Sequence, residues 1–129
     1  MKDSVIKEAI AMRKQAVAPY SNDTVGAAVL TESGEILGGC NVESSSYGLT
    51  CCAERIAIYN AISVGHKNFN ALAVATDNGG KPCGACRQVI WDICGDIKIH
   101  IADGYGNTLE TTSLDLLPDA FDELLLIHI

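Results

Sequence analysis

A chain of 129 residues, 48% hydrophobic and 19% charged, has room for one domain with one core and is too apolar to be disordered. Sixteen acidic side chains against nine Lys and Arg leave a net charge of −7, with the cations scattered. A phosphate backbone would be repelled by that field, so nucleic acid is excluded as an expected partner, whereas a small neutral molecule is compatible with it.

Residues 3–17 read as an amphipathic helix, with Val5, Ile6, Ala9, Ile10, Met12, Ala16 and Val17 on one broad side. Charges run through this stretch (Lys2, Asp3, Lys7, Glu8, Arg13, Lys14), so it has no signal-peptide h-region. No segment approaches the roughly 18 apolar residues that would span a bilayer. The expectation is a cytoplasmic protein with free thiols and no membrane partner. After the break at Pro19–Asp23, residues 25–31 and 36–42 form a hairpin around Glu32-Ser33-Gly34. A helix is predicted from about Cys51 to Val64, closed by Gly65. A buried strand at 71–76 and a polar loop at 77–81 follow. A second helix runs to Cys94-Gly95, and two strands, 97–102 and 108–112, flank a Gly104–Asn107 turn. Residues 113–118 make a short helical turn. The sum is a single α/β domain over 1–129: three layers, α/β/α, with a five-stranded mixed sheet and helices on both faces.

The helix predicted from Cys51 to Val64 carries no charge from Ile56 to Gly65. A helix apolar on nearly all sides is buried on nearly all sides. Either it is sandwiched within one subunit or its outer side meets another.

Chemistry concentrates in two motifs, Cys52-Ala53-Glu54 and Pro82-Cys83-Gly84-Ala85-Cys86. Each alone is modest evidence. Together they supply three soft ligands and one unattached carboxylate. Three protein ligands on zinc leave a fourth position for water, and Glu54 is placed to move that water's proton. Both motifs sit at predicted helix N-termini, where a thiolate is favoured. Cys83 and Cys86, at i and i+3, share one helix face; Cys52 completes the triangle from the other helix. Three thiolates on Zn²⁺ carry net charge −1, so a nearby cation should offset the sulfurs, and Arg55 and Arg87 are the candidates. The competing readings are a structural zinc, which needs a fourth ligand, and a redox pair, which does not call for C-x-E.

The combined motif is the general pattern of zinc deaminases of nucleobases, and the chain resembles the cytidine deaminase family in its short, all-cysteine form. Tyr20-Ser21, Val25–Ala28, Asn41-Val42-Glu43, Ser46–Thr50 and Leu116–Phe121 follow in the family's order, so the resemblance covers most of residues 19–121. It implies hydrolytic deamination of cytidine or deoxycytidine by a homotetramer in pyrimidine salvage. By the same resemblance, Asn41 and Glu43 hold the ribose hydroxyls, and the Ala53 backbone meets the pyrimidine edge. Arg55 bonds the ligand thiolates, and Tyr47 and Phe121 lie near sites shared between subunits. At Asp23 the sequence departs from it, since related enzymes generally carry a Phe there to pack on the base. Either Asp23 alters the substrate range or its loop turns it to solvent. The rivals are a deaminase of a modified cytosine nucleoside or an aminocytosine antibiotic such as blasticidin S, and a structural-zinc interaction protein.

The remaining candidates have ordinary readings. His66, His100 and His128 lack ligand spacing and are expected as surface or strand residues. Cys40, Cys51 and Cys94 are expected to be small buried residues, and Trp91 a core or interface residue. The apolar tail 124–129 either adds a strand or covers an interface.

Overall fold

The computed structural model describes residues 2–122. The chain runs α1 (Lys2–Met12), a 3-10 turn (Arg13–Gln15), β1 (Gly26–Thr31), β2 (Ile36–Cys40) and a 3-10 turn (Tyr47–Leu49). There follow α2 (Ala53–Ser63), β3 (Phe69–Ala75), α3 (Gly84–Cys94), β4 (Lys98–Ala102), β5 (Thr108–Thr112) and the single turn α4 (Ser113–Leu116). The strands make one five-stranded sheet in the order β2-β1-β3-β4-β5. β3 and β4 are parallel and the other neighbours antiparallel. A parallel pair needs a crossover, and α3 supplies it.

Alternation along the strands sorts side chains between two layers. Ala27, Val29, Leu72, Val74, Ile99 and Ile101 pack with Ala57, Ile58 and Ala61 of α2 and Ile90 of α3. On the opposite side Ala28, Leu30, Ala71, Ala73, Ala75 and Ala102 pack with Val5, Ile6 and Ala9 of α1. The expected α/β/α architecture is therefore the one the chain adopts.

The first helix stops earlier than its periodicity predicts. It ends at Met12 and tightens into the 3-10 turn, and Ile10 and Val17 are exposed. The reason is competition from strand pairing. The Val17 amide donates to Asn41 O (2.9 Å), and Val17 O accepts from the Glu43 amide (2.8 Å), which pulls the segment out of helix. Before it leaves, α1 lies very close to the sheet. A Cβ on Gly26 would stand 2.0 Å from Ala9 O.

Helix α2, free of charge from Ile56 onward, buries Ala53, Glu54, Ala57, Ile58 and Ala61. Tyr59, Ile62 and Val64 on its other side are 45%, 42% and 60% exposed. Within one chain the helix is therefore not sandwiched, and its apolar outer side lies open. Its inner side presses on β2, where a Cβ on Gly39 would fall 2.4 Å from Ala57 N and 2.7 Å from Ala53 O. That contact brings the first turn of α2 up to the end of β2, beside Asn41. Cys40, Cys51 and Cys94, expected in the interior, are only partly buried. The tail 124–129 and His128 lie outside the described residues.

Candidate active site

Cysteine stands where a helix usually carries Ser, Thr, Asp or Asn. Cys52 is the N-cap of α2 and Cys83 the N-cap of α3, both with extended backbone, and neither side chain caps its helix. Their carbonyls still accept from Ile56 (3.2 Å) and Arg87 (2.9 Å), so the helices start normally. The thiols are left free to face one another. Cys86, one turn into α3, completes a cluster whose sulfurs all lie within 4.8 Å of each other.

This cluster fits zinc. Zinc–sulfur bonds of about 2.3 Å at tetrahedral angles separate sulfurs by about 3.8 Å, and the Cys52 and Cys83 sulfurs are 3.8 Å apart. The protonation chemistry agrees. The Cys86 thiol hydrogen-bonds the Cys52 sulfur and draws its pKa well below the usual thiol value, with Arg55 and Cys83 helping. Cys86 is pushed up by that same bond and by burial. Sulfurs that must share protons in this way are a set that a divalent cation would deprotonate together. Arg55 Nη2 donates to Cys52 Sγ at 3.4 Å. Its buried Nε has no hydrogen-bond partner among the described residues, and a guanidinium held like this needs negative charge beside it.

Arg87 does not share that work. Its Nε donates to Pro82 O (2.7 Å) and its Nη1 to Leu116 O (2.9 Å). Five donors in a rigid fork suit it to backbone carbonyls, and it ties the start of α3 to α4. The expectation that it offsets the sulfurs is corrected here.

Glu54, in the first turn of α2, is 4% exposed. Burial pushes its carboxyl up to about 7. It opens on a cleft of about 240 Å³ that Cys52, Ala53 and Cys83 also line. That volume is on the scale of one small molecule. Asp23, Val25, Asn41, Glu43 and Thr50 line it as well. Asp23 thus stands on the cleft wall although it is exposed. Thr76, Asn78, Gly80 and Lys81 contribute from the loop after β3. Sequence reasoning missed these four; the available signal was their place between a buried strand and the second cysteine motif.

Asn41 is largely spent on the protein. Its Nδ2 donates to Asp23 O (2.8 Å) and its Oδ1 accepts from the Val25 amide (2.9 Å), leaving one N–H and one lone pair. Tyr47 and Phe121 are not in this cleft. Tyr47 is 82% exposed in a neighbouring hollow with Tyr20, Ser21, Glu43 and Thr50. Phe121 is 47% exposed, and its carbonyl accepts from Gln88 Nε2 at 2.8 Å. His66 pairs with Glu35 (2.8 Å), and His100 sits in β4 beside Glu110 (3.6 Å), both away from the cysteines.

Fold and site define a class: an α/β/α protein with three cysteines set to grip a metal and a buried acid beside them. Comparison with known proteins narrows it. Residues 1–101 match the family described as the cytidine and deoxycytidylate deaminase zinc-binding region. A cytidine deaminase of Sporosarcina psychrophila is 47% identical over 124 residues, 94% of this chain and 91% of that protein. The crystal structure of cytidine deaminase from Burkholderia pseudomallei superposes with a TM-score of 0.90 at 42% identity, covering 94% of this chain and 99% of that one. A blasticidin-S deaminase of Bacillus cereus stands further off, 35% identical over 73% of this chain and 74% of its own. The chain belongs to the cytidine and deoxycytidylate deaminase family.

The cluster predicts about one zinc per chain, and Cys83→Ala should lose it. Metal analysis of both purified proteins is the check; a variant that keeps full zinc would remove Cys83 from the ligand set.

Proposed function

We propose that this chain is a single-domain, zinc-dependent hydrolase that deaminates cytidine and deoxycytidine to uridine and deoxyuridine, releasing ammonia. The observation that carries the proposal is Glu54, a carboxyl buried beside three sulfurs, opening on a cleft of nucleoside size. A structural-zinc protein without turnover would have no use for such an acid. Relatives named cytidine deaminase support the substrate.

Cys52, Cys83 and Cys86 hold the zinc, which when bound supplies a Lewis acid that lowers the pKa of water towards neutrality. Arg55 offsets the sulfur charge so that this acidity is not lost to three thiolates. Glu54 takes a proton from the water that attacks C4, delivers it to the ring nitrogen, and passes the second to the departing amine. A carboxyl with a pKa near 7 can do both at neutral pH. The Ala53 backbone meets the pyrimidine edge, and Asn41 and Glu43 take the ribose hydroxyls. The enzyme works in the cytoplasm, in pyrimidine salvage, on free nucleosides and not on nucleic acid. It is a homotetramer that buries the open face of α2 and brings Tyr47 and Phe121 to sites shared between subunits. Light scattering checks this, and an active monomer would refute it.

One observation favours a second substrate range. Asp23 lines the cleft where related enzymes carry an aromatic ring. Losing that ring costs roughly 1–3 kcal/mol of base stacking. A carboxylate there gains from a substrate that offers it an extra donor, such as an N4-substituted cytidine.

Two measurements test these readings. Ammonia release should be seen with cytidine, and Glu54→Gln should keep zinc and fold while turnover falls at least several hundred-fold, the order general acid–base catalysis contributes. Loss of zinc in that variant would make Glu54 a ligand instead. Asp23→Phe should raise kcat/KM for cytidine relative to N4-substituted cytidines; an unchanged ratio would mean that Asp23 does not touch the substrate.

A further inference from the structure

Glu43 is held by the turn that precedes β1. One carboxylate oxygen, Oε1, accepts from the backbone amides of Tyr20 (3.0 Å) and Ser21 (3.2 Å). The other, Oε2, accepts from the Ser21 hydroxyl. Ser21 Oγ also accepts from the Asp23 amide at 3.0 Å. One hydroxyl therefore joins the Glu43 carboxylate to the backbone of the residue that lines the cleft beside it. The backbone of Glu43 is fixed independently, since its amide donates to Val17 O at 2.8 Å.

Counting acceptor sites shows what this leaves. An ionised carboxylate has about four lone-pair directions. Three are taken by the turn, two on Oε1 and one on Oε2. The remaining one belongs to Oε2, on a side chain that stands between the cleft and the neighbouring hollow and lines both. An oxygen with one open acceptor site suits a ligand hydroxyl. The three bonds, the Ser21 hydroxyl foremost, also hold the Glu43 carboxyl below the usual carboxylate range, so it stays ionised and purely accepting.

We propose that Ser21 is a positioning residue for substrate binding: its hydroxyl aims Glu43 Oε2 into the cleft and sets the strength with which the enzyme holds a sugar hydroxyl. This rests on the nucleoside reading given above. Ser21 lines neither the cleft nor the cysteine cluster. Its influence falls on binding of the sugar, and the chemical step at C4 is left alone. Without the hydroxyl, Oε2 loses its tether and the Asp23 amide loses its acceptor. The carboxylate then hydrates or swings, and the sugar must pay to order it again.

The test compares a ligand that has the ring hydroxyls with one that lacks them. KM for cytidine, and Ki for 2′,3′-dideoxycytidine as a competitor against cytidine, are measured in wild type, Ser21→Ala, Ser21→Gly and Ser21→Thr. The expected result is a KM for cytidine about tenfold higher in Ser21→Ala and Ser21→Gly, the scale of a lost hydrogen bond to a charged group. In the same variants kcat and the Ki of the dideoxynucleoside stay near wild type, and Ser21→Thr, which keeps the hydroxyl, restores most of the KM. Equal weakening of both ligands would mark Ser21 as a purely structural turn residue and overturn the proposal. So would an unchanged KM, or a wild type that binds the dideoxynucleoside as tightly as cytidine. A wild type that releases no ammonia from cytidine is a separate result, and it defeats the nucleoside reading itself.

Discussion

Two helix N-termini aimed at one spot repel each other, because each carries about half a positive charge and several unpaired N–H groups. The site of this protein depends on resolving that repulsion. Cys52 and Cys83 begin α2 and α3, Cys86 follows one turn later, and the guanidinium of Arg55 adds further positive charge. Thiolate sulfur between the helix ends would turn an unfavourable approach into a favourable one, and a divalent cation held by the sulfurs would balance what they bring in excess. The surroundings serve this meeting. Gly39 lets the first turns of α2 lie against β2, and Arg87 fixes the entry to α3 by gripping the carbonyls of Pro82 and Leu116. Glu54 is buried as a by-product of the same geometry. The turn that presents Cys52 to the cluster carries the next acidic side chain into the interior, where burial pushes its carboxyl up to about 7.

The opposite wall of the cleft is organised by backbone. Asn41 and Glu43 leave the end of β2 and reach to the 20–25 segment, Asn41 through Asp23 and Val25 and Glu43 through Tyr20 and Ser21. Val42, between them, bridges to Val17 on one side and Cys51 on the other. Cys51, just before the cap of α2, and the Asn41–Glu43 segment are thus joined in one small ladder. The α2 side of the cleft and its Asn41 and Glu43 side are held together by backbone.

What the sequence made legible follows from how local each signal is. The sheet, its two helical layers and the pairing of C-x-E with P-C-x-x-C rest on spacing along the chain, and spacing survives folding. The end of α1 was not legible, because the bonds that unwind residues 16–17 come from Asn41 and Glu43, more than twenty residues away. Arg55 and Arg87 look equivalent in sequence, each following a cysteine; only the rotation of each around its own helix shows which faces sulfur. Thr76, Asn78 and Lys81 carry no motif, and they matter only because β3 ends where α2 and α3 begin. Asn41 was visible as a polar residue at a strand end, but its use on backbone required coordinates.

The layer between α1 and the sheet is rich in alanine: Ala28, Ala71, Ala73, Ala75 and Ala102 from the strands and Ala9 from the helix, with Val5, Ile6 and Leu30 among them. The alanines leave nothing to trim, so change at those positions acts through growth. Each added methylene lifts the helix or bends a strand, and the neighbouring alanines cannot yield in return, because they have no rotamers to change. The opposite layer, with its leucines and isoleucines, can trade volume between partners. Added volume is therefore harder to absorb on the alanine-rich side than on the other. The alanine side is the more brittle under mutation, although it lies far from the chemistry.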